Sequence, residues 1–439
     1  MSFERKSLGL YGFFKLLAVF AIMALLFLFV FFNPEYSKAY YVLVATIGLY
    51  LTVFYVLTSR QESVPRVPKL KKFPSLTVLV PSYNSASTLK PCLEAIFRMR
   101  YPRPFKVMVV DDCSTDNTPE VLKQFPKAKV LRHEKNIGKA RGLNKAIRMA
   151  KTDLVACIDS DTYPNPRALL DCVPRFYTKE NVGAVAPFIT VANPQTLVQR
   201  MQEIEYYSGF GFYSKVASQM DGLYVAPGPL TVFNRSALME IGGFDEDNLT
   251  EDMEIALRLH DYGYVIEYAP SLVPTEVPST LKGLYKQRLR WYRGTIFNIL
   301  KYKKMFFNPK FNAFGRFFFP ALTVFVSTIL LSFVVIWAVI FFGIFQWLSK
   351  VYLSLSAGHV PFFRVLLENF TVSSLWVFVV LAVIVWYVFF LESISMIGVK
   401  KSRHMILPVL ATIFVYPLII SLVYTISLFK ELKVSKRVW

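Results

Sequence analysis

Polar clusters follow three short hydrophobic runs in the middle of this chain. Pro81-Ser82-Tyr83-Asn84 follows Leu76–Val80, Asp111-Asp112 follows Lys106–Val110, and Asp159-Ser160-Asp161 follows Leu154–Ile158. Two carboxylates at i and i+2 can face one hard cation, and Mg²⁺ favours one or two carboxylates completed by phosphate oxygens. That chemistry would hold the diphosphate of a nucleotide-activated sugar. A lone acid at such a place is ordinarily a helix cap, and Asp116 has that option before Thr118. Capping is a poor account of three clusters at three equivalent places.

Two later segments add reactive groups. Thr250-Glu251-Asp252 opens a helical pattern with its acids in the first turn, where the helix dipole favours them. One of these carboxylates could instead take the proton from an attacking hydroxyl. Gln287, Arg290 and Trp291 stand at i, i+3 and i+4, so one helical face presents all three. The planar fork of an arginine suits a diphosphate, and an indole offers a flat apolar face to a pyranose.

The elements that must position these groups alternate in type. The three runs read as strands, and Ala86–Met99 and Lys139–Ala150 between them read as helices. This alternation predicts an α/β domain with a parallel-rich sheet covered on both faces, and ligands on such sheets bind beyond the carboxyl ends of the strands. The four cysteines lack metal or redox spacing and read as reduced thiols.

The chain ends have another texture. Of 439 residues, 54% are hydrophobic and 18% charged, against about 25% charged in an average soluble protein. Leu16–Phe32, Ala39–Ser59, Phe317–Ser349, Asn369–Leu391 and Met405–Phe429 carry no charge. A bilayer crossing takes about 20 apolar residues, so these runs predict two spans before the middle and about three after it. The 33 residues from Phe317 are too few for two crossings and predict a membrane-entry segment before Pro320, then one long or tilted span. Val277–Lys310 has nine Lys and Arg and no acid, interleaved with aromatic residues. It reads as amphipathic helix at a lipid surface. By the positive-inside rule it puts the middle domain on the cytoplasmic side, as does the loop with Lys400, Lys401 and Arg403. The basic tail at Lys430, Lys433, Lys436 and Arg437 would then lie outside, against that rule. The expected division is residues 1–59, 60–276, 277–316 and 317–439.

The motifs PSYN, VVDDCSTD, NIGKARGLN, DSD, QEIEY, GPLTVFNRSAL, TED and QRLRW, in this order from about Pro74 to Gly294, resemble the processive family 2 glycosyltransferases of membranes. That group includes cellulose, chitin, hyaluronan and poly-N-acetylglucosamine synthases. TED followed by QxxRW is the sharpest part of the likeness, and the span layout resembles the poly-N-acetylglucosamine and hyaluronan branch. The resemblance implies a glycosyltransferase A-type domain inserted between membrane helices. It implies uracil and ribose contacts at Ser82, Tyr83, Asp111 and Asp112. Lys139 or Arg141 would meet phosphate or uracil. Asp159 and Asp161 would be the diphosphate–metal pair for Mg²⁺ or Mn²⁺, with Asp161 the preferred direct ligand. Asp252 matches the general base beside Glu251, while Gln287 and Arg290 would hold the donor and Trp291 the acceptor end. Cys113 departs from the pattern, since glycine is common there.

The resulting expectation is an inverting, processive enzyme of the plasma membrane. It would polymerise a UDP-sugar, UDP-N-acetylglucosamine or a related hexose donor, into a β-linked polysaccharide and pass it through the membrane. Its partners would be the donor, the growing chain and membrane lipid, with no nucleic acid and any accessory subunit unnamed. The alternative is a non-processive transferase adding one sugar to a lipid. A transporter is disfavoured because the apolar runs hold no acid or base.

Overall fold

Strands β1 (Leu76–Ser82), β2 (Lys106–Asp111) and β4 (Leu154–Cys157) are buried on both faces, which is why each reads as a continuous apolar run. Leu79, Met108, Val110 and Val155 enter one core layer. Val78, Val80, Val109 and Ala156 enter the layer on the opposite face. The computed structural model describes residues 10–60, 67–357, 383–395 apart from 385 and 392, and 405–433.

These strands belong to a seven-stranded sheet completed by β3 (Ala128–Arg132), β5 (Val182–Val191), β6 (Thr231–Asn234) and β7 (Val265–Thr275), in the order β3-β2-β1-β4-β6-β5-β7. Its pairs are parallel except those of β6, which runs against both β4 and β5. The chain reaches β6 at the carboxyl end of β4, where Cys157 pairs with Thr231, and so must run back. After β3 the chain crosses over and adds β4 on the other side of β1. The crevice at such a reversal is where an open sheet of this kind binds ligands. The helices around the sheet are α3 (Ala86–Phe97), α4 (Thr118–Lys123), α5 (Lys139–Met149), α6 (Ala168–Cys172), α7 (Leu197–Tyr206), α8 (Ser214–Gln219), α9 (Arg235–Glu240), α10 (Glu251–Asp261) and α11 (Leu281–Lys301).

Before this domain lie α1 (Leu10–Phe32) and α2 (Glu35–Arg60), joined by a turn at Asn33-Pro34. After it come a π-helical turn at Phe314–Phe318 and α12 (Phe319–Ser356), with Pro320 in the first turn, where proline costs no hydrogen bond. Val30 packs against Val335 and Ala338, and the Tyr40 hydroxyl donates to the Thr328 carbonyl at 3.0 Å, so α12 seats both N-terminal helices. At 38 residues α12 extends about 57 Å, well beyond a hydrocarbon core of about 30 Å. Among the described residues, Glu35–Ser59 and Phe314–Ser356 are long and apolar enough to cross a bilayer. The run Met405–Phe429, expected as one span, consists of two helices, α13 (Ile406–Phe414) and α14 (Tyr416–Leu432), bent by 41°. Pro417 lacks the N–H that would continue α13. Most of the run Asn369–Leu391, the loop Val399–His404 and the tail residues Lys436 and Arg437 lie outside the described residues.

The π-helical turn docks the membrane entry onto the domain. Phe314 stacks on His260 at 3.9 Å and 6°, and the His260 Nε2–H donates to the Leu223 carbonyl at 2.6 Å. Burial pushes the imidazole pKa down to about 4. The unfolded chain takes up this proton near pH 6.5, so the stability from neutral His260 is whole above that value. It is lost as pH falls from 6.5 toward 4, to a total of about 3 kcal/mol. We therefore expect the unfolding temperature in detergent to drop between pH 7 and pH 5. His260→Gln, which keeps a donor for Leu223, should flatten that interval; an unchanged slope would discount His260 as its source.

Candidate active site

The carboxyl edge of the sheet brings Ser82, Asp111 and Arg132 into one row of register. Asp111 is fully buried. It accepts from the Ser114 N–H at 3.0 Å and pairs with the Arg132 guanidinium at 3.2 Å. Asp112 accepts from the Ile137 and Gly138 N–H groups at 2.9 and 2.8 Å and lies 3.0 Å from His133 Nδ1. Both carboxylates thus fold the loops that border the crevice. Among the described residues Asp111 Oδ2 has the Arg132 charge beside it but no hydrogen-bond donor, and Ser82 Oγ is likewise buried without a hydrogen-bond partner. Tyr83 is exposed beside it. Asn84 Oδ1 accepts from the Thr115 N–H at 2.8 Å, and Asp116 accepts from both Ala86 and Thr118, stitching the loops after β1 and β2 together. Cys113 has a φ of 65°, a left-handed conformation natural to glycine.

The centre of the site is an ion triplet. Lys139, the first residue of α5, places its Nζ 2.7 Å from Asp159 Oδ1 and 3.0 Å from Glu251 Oε1. Burial alone would lower the ammonium pKa, but Asp159 and Glu251 outweigh it and hold the pKa above its ordinary value. Asp161, two residues along, meets only hydroxyls, those of Thr275 and Thr162 at 3.3 and 3.5 Å. Burial first, and then the Asp159 charge, push its pKa up to about 6. Asp252 is also raised to about 6, by burial and by Glu251, against the pull of Lys139 and Arg290. Its Oδ1 accepts only from the Met253 N–H, at 2.8 Å, as far as direct hydrogen bonds are concerned. Arg141 turns away and pairs with Glu246 at 3.0 Å, so of the two cations expected at the donor only Lys139 enters this centre.

Two glycines make the approach possible. A Cβ on Gly228 would stand 2.5 Å from Asp159 Oδ2 and 3.1 Å from Lys139 Nζ, so any side chain there would displace the triplet. A Cβ on Gly294 would stand 2.1 Å from Thr250 Oγ1. Helix α11 can therefore lie directly on the start of α10. Buried Asn298 completes this seam, accepting from Asn248 at 2.8 Å and donating to Thr250 at 3.1 Å. One turn on, fully buried Glu254 accepts from Lys301 and Tyr302, both at 2.7 Å. The seam thus lays α11, which carries Gln287, Arg290 and Trp291, on the start of α10, and the Arg290 charge acts on Asp252. Gln287 Oε1 is buried without a partner. Trp291 is half-buried against both core layers, with the Arg288 guanidinium 4.0 Å over its ring.

Sequence reasoning missed Gly228, Gly294 and Arg288, although Gly228 and Arg288 lie inside motifs it had singled out and Gly294 stands three residues beyond one. Their importance comes from what stands opposite, which no local pattern carries. Among the described residues no three His, Cys, Asp or Glu side chains converge to hold a metal ion. Asp159 and Asp161 nevertheless suit a hard cation that takes its other ligands from phosphate and water, because both are oxygen donors and Asp161 is the less engaged of the two.

Residues 77–242 match the family model described as glycosyl transferase family 2, so the chain carries a family 2 glycosyltransferase domain. Poly-β-1,6-N-acetyl-D-glucosamine synthase of Staphylococcus epidermidis is 33% identical over 223 residues, 50% of this chain and 54% of that protein. The synthase of the same name from Staphylococcus aureus strain COL is 29% identical over 272 residues, 61% of this chain and 64% of that one. The chain thus spans about half the length of the first of these relatives. Among solved structures, the mannosyltransferase PcManGT of Pyrobaculum calidifontis, in complex with GDP-Man and Mn²⁺, superposes with a TM-score of 0.57 at 21% identity. That match covers 86% of this chain and 99% of the other, and marks a shared fold of the glycosyltransferase A type.

Gly228→Ala tests the triplet without touching a charged residue. Crowding of this kind costs about 1–3 kcal/mol, so affinity for UDP in the presence of Mn²⁺ should fall about tenfold or more in calorimetry. Unaltered UDP affinity would mean that Asp159 does not serve the donor.

Proposed function

We propose that this protein is a membrane-embedded, inverting, processive glycosyltransferase that polymerises UDP-N-acetylglucosamine into a β-linked polysaccharide. The observation that supports the reading is the seam at Gly294 and Thr250, which lays the helix bearing Gln287, Arg290 and Trp291 on the start of the helix bearing Glu251 and Asp252, with the Arg290 charge acting on Asp252. A donor site and an aromatic acceptor platform then share one crevice at the membrane entry. The choice of sugar is supported by the named product of the 33%-identical relative, which outweighs the GDP-Man of the 21%-identical fold neighbour. The domain division expected from the sequence, with a cytoplasmic catalytic domain at the plasma membrane, belongs to the same proposal.

In this mechanism Asp252 takes the proton from the acceptor hydroxyl as that oxygen attacks the anomeric carbon from the face opposite the leaving UDP. Its raised pKa makes it a stronger base than an ordinary carboxylate, and its lack of strong partners leaves it free to act. Glu251 holds Lys139 in place of joining the proton transfer. Lys139 and Arg290 set positive charge against the departing diphosphate. Asp161 and Asp159 would hold Mg²⁺ or Mn²⁺, which supplies further charge neutralisation on the diphosphate when bound. Ser82 and Tyr83 line the nucleoside side, with Asp111 and Asp112 setting the loops around it. Trp291 stacks on the terminal sugar of the growing chain, and the membrane helices lead that chain away.

Four measurements test this reading. Asp252→Asn should lower turnover about 10²–10⁴-fold while UDP still binds. The parent rate should fall as pH drops through about 6, where Asp252 takes up its proton; a flat profile to pH 5 would remove it as the base. Asp161→Asn and EDTA should each abolish most turnover, and full activity in EDTA would remove the metal. Product sizing with labelled UDP-N-acetylglucosamine should give polymer; singly glycosylated lipid would establish the non-processive alternative instead.

A further inference from the structure

Arg288 lies between Gln287 and Arg290 but on another face of α11, and it is among the largest fully buried side chains of the protein. Its Nη2 pairs with Glu205 of α7, and its Nε donates to the Tyr416 hydroxyl at 3.1 Å. Tyr416 in turn donates to Glu205 at 2.8 Å, closing a triangle between three helices. The guanidinium carbon lies over the Trp291 indole, 4.0 Å from the ring centroid. Tyr416 is the first residue of α14, at the 41° bend that follows α13. Two further contacts extend this attachment of α11 to α14. Tyr292 stacks on Tyr424 at 3.7 Å, and Arg293 pairs with Glu431 at 2.8 Å.

A buried ion pair is weak support for stability, since apolar residues of similar volume often serve as well. What an arginine offers here, and an apolar residue does not, is a rigid plane. Glu205 and Tyr416 fix two edges of the fork, and the fork fixes the plane against which the indole lies. One face of the indole is thereby taken up by the cation, so sugar can stack only on the other. Holding that ring still removes the entropy loss that acceptor binding would otherwise carry.

We infer that Arg288 is a positioning residue for the acceptor, setting the Trp291 indole plane from Glu205 and the bend at Tyr416. It acts through Trp291 and touches neither donor nor reacting atoms. The C-terminal membrane helices and the acceptor platform then shift together, because Tyr416 belongs to both. This inference rests on the proposed role of Trp291 as the acceptor platform.

The test uses the full chain in lipid nanodiscs with UDP-N-acetylglucosamine and a short soluble β-linked N-acetylglucosamine oligosaccharide as acceptor. Arg288→Lys keeps the charge and loses the plane. Tyr416→Phe keeps the ring and loses one bond of the fork, so it remains informative where the first variant folds poorly. Ordering a side chain on binding costs up to about 1.4 kcal/mol, a factor of about ten in affinity, so the acceptor KM should rise about tenfold in Arg288→Lys once the ring is no longer held. Tyr416→Phe should raise it about fivefold, with a donor KM within about twofold of the parent in both variants. Quenching of the Trp291 emission by acceptor, taken as the difference from Trp291→Phe, should shift to higher acceptor concentration by the same factors. An acceptor KM equal to the parent's in both variants would overturn the inference, as would a donor KM that rises in step with it. Acceptor KM is read from the first added sugar. A parent that adds only one sugar would therefore refute polymerisation while leaving the role of Arg288 to be decided by the same numbers.

Discussion

The structure depends on one buried ammonium. Lys139 joins the start of α5, the loop after β4 and the start of α10, three places far apart in sequence, through contacts of 2.7 and 3.0 Å. Without it Asp159 and Glu251 would bring uncompensated charge into a partly desolvated crevice, and several acids within one cleft cannot all ionise cheaply. Burial first, and then the negative charge left over after Lys139 has neutralised its share, raise the pKa values of Asp161 and Asp252. That surplus is what a cation or the positive end of a reacting group would find attractive. The same crowding demands Gly228, because the loop before β6 must pass where any side chain would strike Asp159.

The second constraint is the lie of α11. A helix carrying nine-residue spacing between Arg290 and Ile299 has no intrinsic reason to rest on the start of α10. It does so because Gly294 removes the obstacle and Asn298 supplies hydrogen bonds that Asn248 and Thr250 need when buried. The opposite side of α11 meets α14 through Arg288, Tyr292 and Arg293. The start of α10 and the apolar helix α14 are thereby attached to the two sides of one helix, a short mechanical path between the domain and the apolar C-terminal helices.

Much of this was legible in the sequence. The runs at Leu76, Lys106 and Leu154 are strands, the polar clusters follow their carboxyl ends, and the charged, mixed-texture middle separates from apolar ends. These features are local: side-chain periodicity and burial on both faces need only a few neighbouring residues to declare themselves. TED was legible as acids in a first helical turn and QRLRW as Gln287, Arg290 and Trp291 on one helical face, and their order carried the resemblance to family 2 glycosyltransferases.

Pairing across the fold was decided only by tertiary structure. Lys139 and Arg141 are equally basic and two residues apart, but successive residues on a helix turn by about 100°, so they face nearly opposite ways and only Lys139 enters the crevice. That Asp111 and Asp112 also hold the loops beside them is visible only in the fold. The bend at Val415 within the run from Met405 is likewise absent from hydropathy, which records composition and not direction. Arg288 reads as one more cation of a basic helix until Glu205 and Tyr416, 83 and 128 residues away, are found against it. In each case the deciding partner is distant along the chain, and a local pattern holds no information about what folding will set opposite it.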